Sequence, residues 1–258
     1  METHAHHLHK APGKNFWHYF FEFFMLFLAV FCGFLAENYR EHVVERERAN
    51  EFAKSLVQDF QNDVTAIKKH KKTASVYIAL VDSMINLSQK QLEGRVSAQF
   101  SFYIRFMYWT QPIVWNRATF EQIKNSGSLR YFKNHELLEK LMKYDALIND
   151  IESEANNRFV RGNMLLNQIN QIIEPAYHQR LSKYFLSDYD SIPKEAMESM
   201  YALNPESLEG KRSEIRELLN MVVVQQRNLQ RETENNWPKA EEMANELVND
   251  LKKEYHLE

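Results

Sequence analysis

A single cysteine, Cys32, stands in 258 residues, so no intrachain disulfide can form, and a disulfide scaffold or a zinc-ribbon cluster is excluded. Glycine and proline are scarce too, at six each. Doubly wound and all-β folds need many such residues for turns, so the scarcity points to long helices. Charge of one sign is also missing. The 32 Lys and Arg against 35 Asp and Glu leave a formal net charge of −3, which argues against a uniformly basic nucleic-acid binder. There is no G-x-S-x-G, no P-loop and no G-x-G-x-x-G. No Glu has a His three residues on, the spacing by which helical bundles hold a carboxylate-bridged metal pair. His135-Glu136 is followed by Leu137, Leu138 and Glu139, so H-E-x-x-H is absent as well. The expectation is a protein that is not an enzyme, with no catalytic residue, no cofactor and no metal ligand assigned.

What is present begins with one apolar run. Phe16 to Ala36, FWHYFFEFFMLFLAVFCGFLA, is 21 residues long. As a helix it measures about 31 Å, the hydrocarbon thickness of a bilayer. Its uninterrupted apolar part, Phe23 to Ala36, covers 14 residues. A full span therefore carries Glu22 and His18 at or near one interface, where Trp17 and Tyr19 fit an aromatic belt. A cleaved signal peptide needs a small residue where Phe34 stands ahead of Ala36. A lipoprotein would use Cys32, but Phe31 precedes it and more apolar residues follow. A buried core helix would be an odd place for so many Phe. The reading adopted is an uncleaved signal anchor over 16–36, behind a short His-rich tail, 1–15.

Lys and Arg near the two ends do not decide orientation. Lys10 and Lys14 precede the span, while Arg40, Arg46 and Arg48 follow it among Glu37, Glu41, Glu45 and Glu47. A short tail is easily retained and long domains translocate largely regardless of charge. The tail is thus expected inside and residues 37–258 outside a bacterial cytoplasmic (inner) membrane, in the periplasm. One face of the span reads His18, Glu22, Met25, Ala29, Cys32, Gly33, Ala36. Small residues let helix backbones approach, and an acid in lipid needs a partner. His18, Glu22, Ala29, Gly33 and Ala36 are therefore a candidate association face, for a second copy or for an envelope protein. The alternative is that His18 and Glu22 simply sit among lipid headgroups.

Beyond the span, periodicity predicts an all-α architecture: the membrane helix continues into an antiparallel helical bundle of three or four long helices. Residues 37–93 form the first helix, charged up to Glu51 and then apolar at Phe52, Leu56, Phe60, Val64 and Ile67, with Ala74, Ile78, Val81 and Ile85 continuing a heptad-like spacing. Residues 94–133 hold aromatic-rich helices and a turn. Phe102, Phe106 and Trp109 are expected on one helical face, and Thr119 to Gln122 has the form of a capping box. Residues 134–186 form a long middle helix, capped by Asn134 and apolar at Leu138, Leu141, Leu147 and Ile151, and a short helix from Ala176 to Leu186. An irregular connection, 187–205, includes one short helix after Pro193. The last segment, 206–258, is a C-terminal helix kinked near Pro238. The expected core includes Leu56, Phe60, Leu141, Ile148, Leu219 and Val222.

Three weaker signals carry alternatives. His4, His6, His7 and His9 could bind a borderline metal, but a solvated tail is preferred. Seven aromatic residues between Phe100 and Trp115 could line an apolar pocket, though interhelical packing is preferred. Lys124, Ser126, Ser128, Arg130 and Lys133 around Gly127 could hold an anion, though an ordinary turn is preferred.

The stretches GFLAENYREHVVERERANEFAKSLVQDF and ATFEQIKNSGSLRYFKNHELLEKLMKYDALI resemble an uncharacterised family of bacterial single-span, membrane-anchored helical proteins. The resemblance covers the anchor, the first helix and the middle helix-turn-helix. It implies an anchored, mostly α-helical envelope protein and offers no catalytic residue. The leading functional expectation is a membrane-anchored, non-enzymatic interaction or scaffold protein of the cell envelope that meets the lipid bilayer but no nucleic acid. The alternative is an extracytoplasmic ligand-sensing helical bundle that signals through a separate partner.

Overall fold

The computed structural model describes residues 16–91, 98–173, 184–202 and 211–257, with 175 and 179. The His-rich tail and most of the helix expected over 176–186 lie outside these residues. All regular structure among the described residues is helical. Helix α1 spans Phe16–Gln91, and no Pro interrupts the stretch. It is followed by α2 (Ala98–Ile104), α3 (Ala118–Asn125) and a 3₁₀ turn (Ser128–Tyr131). Then come α4 (His135–Ile172), a second 3₁₀ turn (Leu186–Ser191) and α5 (Lys194–Tyr201). A π turn, Glu232–Asn236, joins α6 (Arg212–Arg231) to α7 (Trp237–Tyr255).

By packing, the chain forms two units, 1–51 and 52–258. In the first, most apolar side chains of α1 are exposed, Phe16 at 79 % and Leu35 at 49 % among them, while Leu28 and Val44 are half-buried and Ala49 is buried. This helix is long and apolar enough to cross a membrane, with a window of mean hydropathy 2.1 of which 0 % is buried.

The second unit holds the core. Leu56, Phe60, Leu141, Ile148, Leu219 and Val222 are all buried there. Two registers differ from the sequence reading. On α1 the buried positions after Ala74 are Tyr77, Leu80, Val81 and Met84, while Ile78 and Ile85 are half-buried. On α4 the inner stripe is Leu137, Leu141, Tyr144, Ile148 and Ile151, and Leu138 and Leu147 lie at its edge. Both rotations bring a tyrosine inward because its hydroxyl finds an acceptor there: Tyr77 Oη donates to Met107 O at 3.1 Å and Tyr144 Oη to Asp63 at 2.9 Å.

Helix α4 runs antiparallel to α6 and α7. Asn134 Nδ2 donates to Glu254 (3.1 Å) and Lys140 pairs with Asp250 (2.7 Å) at one end, while Lys211 Nζ donates to Ile172 O (2.9 Å) at the other. Helix α1 is antiparallel to the same two. Lys71 meets Glu241 at 3.2 Å and, further along α1, Gln226 Nε2 donates to Ile78 O at 3.1 Å. Helices α1 and α4 thus share a direction, where alternating helices were expected.

Local signals divide. Asn134 caps α4, accepting from Leu137 N at 3.2 Å. The capping box at Thr119 does not form: α3 starts at Ala118 with Arg117 as its N-cap and no side-chain cap bond. Pro238 occupies the first turn of α7, where its missing N–H leaves no bond unmade. The irregularity expected at Pro238 instead lies just before it, in the π turn.

Candidate functional site

Helix α2 ends at Ile104, and Phe106 to Asn116 is turn and extended chain. Trp109 therefore leaves the face expected with Phe102 and Phe106. Those two stay together at 5.2 Å between ring centroids, while Trp109 packs beside His70 and Tyr77, at 6.0 Å from each. A buried extended segment has carbonyls that no helix satisfies. Here three successive odd-numbered carbonyls are met by side chains from three helices. Met107 O accepts from Tyr77 Oη of α1 at 3.1 Å and from Gln225 Nε2 of α6 at 3.5 Å. Trp109 O accepts from Gln225 Nε2 at 3.4 Å. Gln111 O lies 3.1 Å from His70 Nε2 of α1 and accepts from Arg158 of α4 at 3.5 Å.

Gly162 makes the approach to α4 possible. A Cβ built there would stand 2.1 Å from Thr110 Cγ2 and 3.1 Å from Tyr108 O. The far end of the segment is pinned by charge. Asp63 accepts from Asn116 N (2.8 Å), Asn116 Nδ2 (3.1 Å) and Tyr144 Oη (2.9 Å). Arg117 joins Asp145, Glu152 at 2.7 Å and Glu121 at 3.3 Å, and Lys124 reaches Asp145 at 3.3 Å.

Between this segment and residues 184–187 lies a cavity of about 210 Å³. Its wall includes Arg105, Trp109, Thr110 and Gln111 on one side and Tyr184 and Phe185 on the other. Arg105 is 7 % exposed, and one of its N–H groups donates to Tyr184 O at 3.1 Å. Burial lowers its pKa from the ordinary guanidinium value, but an arginine so placed remains charged.

Behind Trp109 lies a second group of buried polar side chains. The Arg158 guanidinium, on a residue 4 % exposed, sits 5.8 Å from the Trp109 ring and 6.0 Å from that of Trp237, a cation–π arrangement. Glu232 opens the π turn at 2 % exposure, and its Oε1 accepts from Asn236 at 2.9 Å. Burial lowers the pKa of Arg158 and raises that of Glu232, while each partly offsets the other's shift. Arg158 Nε, Glu232 Oε2 and the indole nitrogens of Trp109 and Trp237 lack a hydrogen-bond partner among the described residues. Burial also holds the His70 pKa below its ordinary value, aided by the charges of Arg158 and Lys69 and opposed by the contact with Gln111 O.

The association face chosen from sequence lies elsewhere. His18, Glu22, Ala29, Gly33 and Ala36 are all exposed on α1, and a Cβ at Gly33 would meet nothing within 4 Å. Around Gly127 the chain makes a turn. Gly127 takes a left-handed φ of 70°, Ser126 and Ser128 bond each other at 2.7 Å, and Lys124 is engaged by Asp145. Among the described residues no group of three or more His, Cys, Asp or Glu side chains is placed to hold a metal ion. Sequence reasoning missed Arg105, Arg158, Gln225 and Glu232. For Arg158 and Gln225 the available signal was a polar residue at a core position of an otherwise apolar helical stripe, whereas Arg105 follows the end of α2 and gave no such signal.

The chain matches no family model, no curated protein and no solved structure.

Proposed function

We propose that this chain is a membrane-anchored, non-enzymatic interaction protein of a bacterial cell envelope. Residues 16–36 cross the cytoplasmic membrane and the helical domain lies outside it. One observation carries the reading: the apolar window of α1 is uncovered by the rest of the chain, 0 % buried at a mean hydropathy of 2.1. Such a surface is tolerated in lipid and costly in water. A reporter active only in the periplasm, fused after Glu258, tests the topology. It should be active in intact cells, and strong activity from a cytoplasm-only reporter at that position would overturn the arrangement.

A second reading is favoured by the cavity at Trp109. A space walled by aromatic rings with a buried guanidinium and a few polar groups is the usual form of a small-molecule site, which suits a sensing domain signalling through a separate partner. Mild detergent extraction followed by mass spectrometry separates the two. A stoichiometric second protein supports the interaction reading, and a retained small molecule supports sensing.

A further inference from the structure

We propose that the outward face of α4 from Asn156 to Asn170 is a contact for a second copy of this chain, a proposal that rests on the interaction reading and names its partner. Helix α4 changes character along its length. Of its nine exposed positions from His135 to Ser153, four are charged, Glu136, Glu139, Lys143 and Asp150. Of the nine from Asn156 to Gln171, none is charged. Six of these are Asn or Gln, and the other three are Phe159, Val160 and Met164, each more than half exposed. The two arginines of the stretch do not reach this face freely: Arg158 is buried, and Arg161 is half-buried and held by Glu154 at 2.6 Å. Apolar side chains gathered on a solvated helix mark a contact surface.

Spacing gives that surface a shape. Asn156, Val160, Asn163, Asn167 and Asn170 follow one another in alternating steps of four and three, and all five are exposed. This is the period of a seam between two helices, and here it runs for about 21 Å. The missing charge says which partner fits. In a twofold contact a residue near the axis faces its own equivalent, so any charge there would meet the same charge at close range. A different protein imposes no such condition, because a charge on α4 could be answered by the opposite charge on the partner. Asn suits a self-facing position, since its amide carries both donors and an acceptor and pairs with another Asn. A polar residue in such a seam fixes register at a cost in stability, so this contact is weak in dilute solution. Anchoring both copies in one bilayer raises their effective concentration.

The test uses the full chain in membranes. Cys32→Ser removes the native thiol, and Asn163→Cys places one at the middle of the seam. Copper phenanthroline in air should then give a disulfide dimer. Lys69→Cys in the same Cys32→Ser background, at an exposed position of α1, should give little. Adding Val160→Glu to the Asn163→Cys chain should abolish the dimer by setting like charges across the axis. Every substituted position is exposed, so each variant should melt close to the parent, which separates a lost contact from a lost fold. Equal dimer from positions 69 and 163, the mark of random collision, would overturn the proposal, as would a dimer that survives Val160→Glu or no dimer from 163 at all. A photo-cross-linker, p-benzoylphenylalanine, at position 163 then reports what lies there. An adduct with a different protein would overturn the second copy as occupant and keep the interaction reading, and an adduct with another part of the same chain would overturn the contact altogether. The periplasmic reporter decides the anchoring separately.

Discussion

Tyr77 and Gln225 are 0 % and 1 % exposed, yet both carry polar groups. Each lies inside because an unpaired backbone carbonyl there would cost more than burying the donor that meets it. The apolar neighbours follow simpler rules. Leu141 is 2 % exposed at the centre of α4, so Leu141→Ala should lower stability by roughly 2–5 kcal/mol. Lys69 is exposed on α1, and Lys69→Ala should change little. Thermal unfolding of both variants checks this, and equal, negligible shifts would contradict the register. His70 supplies a pH dependence. Its folded pKa lies below the ordinary 6.5, so the unfolded chain takes up a proton first as pH falls. Stability therefore declines as pH drops below about 6.5 and keeps declining to the folded value. Glu232 works in the opposite sense. Its folded pKa is raised above 4.5, so its contribution to stability is lost as pH rises from 4.5 through the folded value. Lowering the pH from 7.5 to 5.5 should therefore cost the parent chain more melting temperature than it costs His70→Gln. An unchanged slope in the variant would show that His70 is not the source.

At the scale of elements, two helices depart from regularity for different reasons. The π turn at Glu232–Asn236 inserts its extra backbone length next to Trp237, and π turns of this kind often occur at functional sites. Here it carries Glu232 into the neighbourhood of Arg158. Helix α1 is regular but bears an exposed apolar surface. Self-association through the face of Ala29, Gly33 and Ala36 has a direct readout in Cys32, which is exposed and adjacent to Gly33. Mild oxidation in membranes should then give a disulfide dimer that is lost in Gly33→Leu, where added bulk separates backbones, and kept in Leu28→Ala. A Cβ at Gly33 has open space around it, so loss of the dimer would report on the contact between helices. Absence of any Cys32 cross-link, with a monomeric mass in several detergents, would remove self-association from the account.

For the whole molecule, the connected core begins at Ala53 and ends at Leu251, inside the unit 52–258. Stability should therefore reside in that unit. A chain lacking residues 1–51 should remain helical by circular dichroism, unfold cooperatively and melt within a few degrees of the parent. It should also no longer require detergent, since the exposed apolar surface of α1 is gone. A non-cooperative melt would show that the first unit contributes to the fold of the second.

Much of this architecture is local and could be read before any coordinates. Scarce Gly and Pro, a 21-residue apolar run and three-to-four-residue apolar spacing specify long helices and one segment fit for lipid, because helix propensity and amphipathic period act over neighbouring residues. Asn134 was legible as a cap for the same reason, its partner being three residues away. The shared direction of α1 and α4 and the cavity at Trp109 were not legible. They depend on Gly162, which lets residues 108–110 approach α4, and on Tyr77, Gln225, His70 and Arg158 converging from three helices on the carbonyls of Met107, Trp109 and Gln111. Contacts such as that of Gln225 with Met107, 118 residues apart in sequence, leave no periodic trace. Only the packed chain brings them together, because only there is a carbonyl out of reach of water and dependent on a side chain for its hydrogen bond.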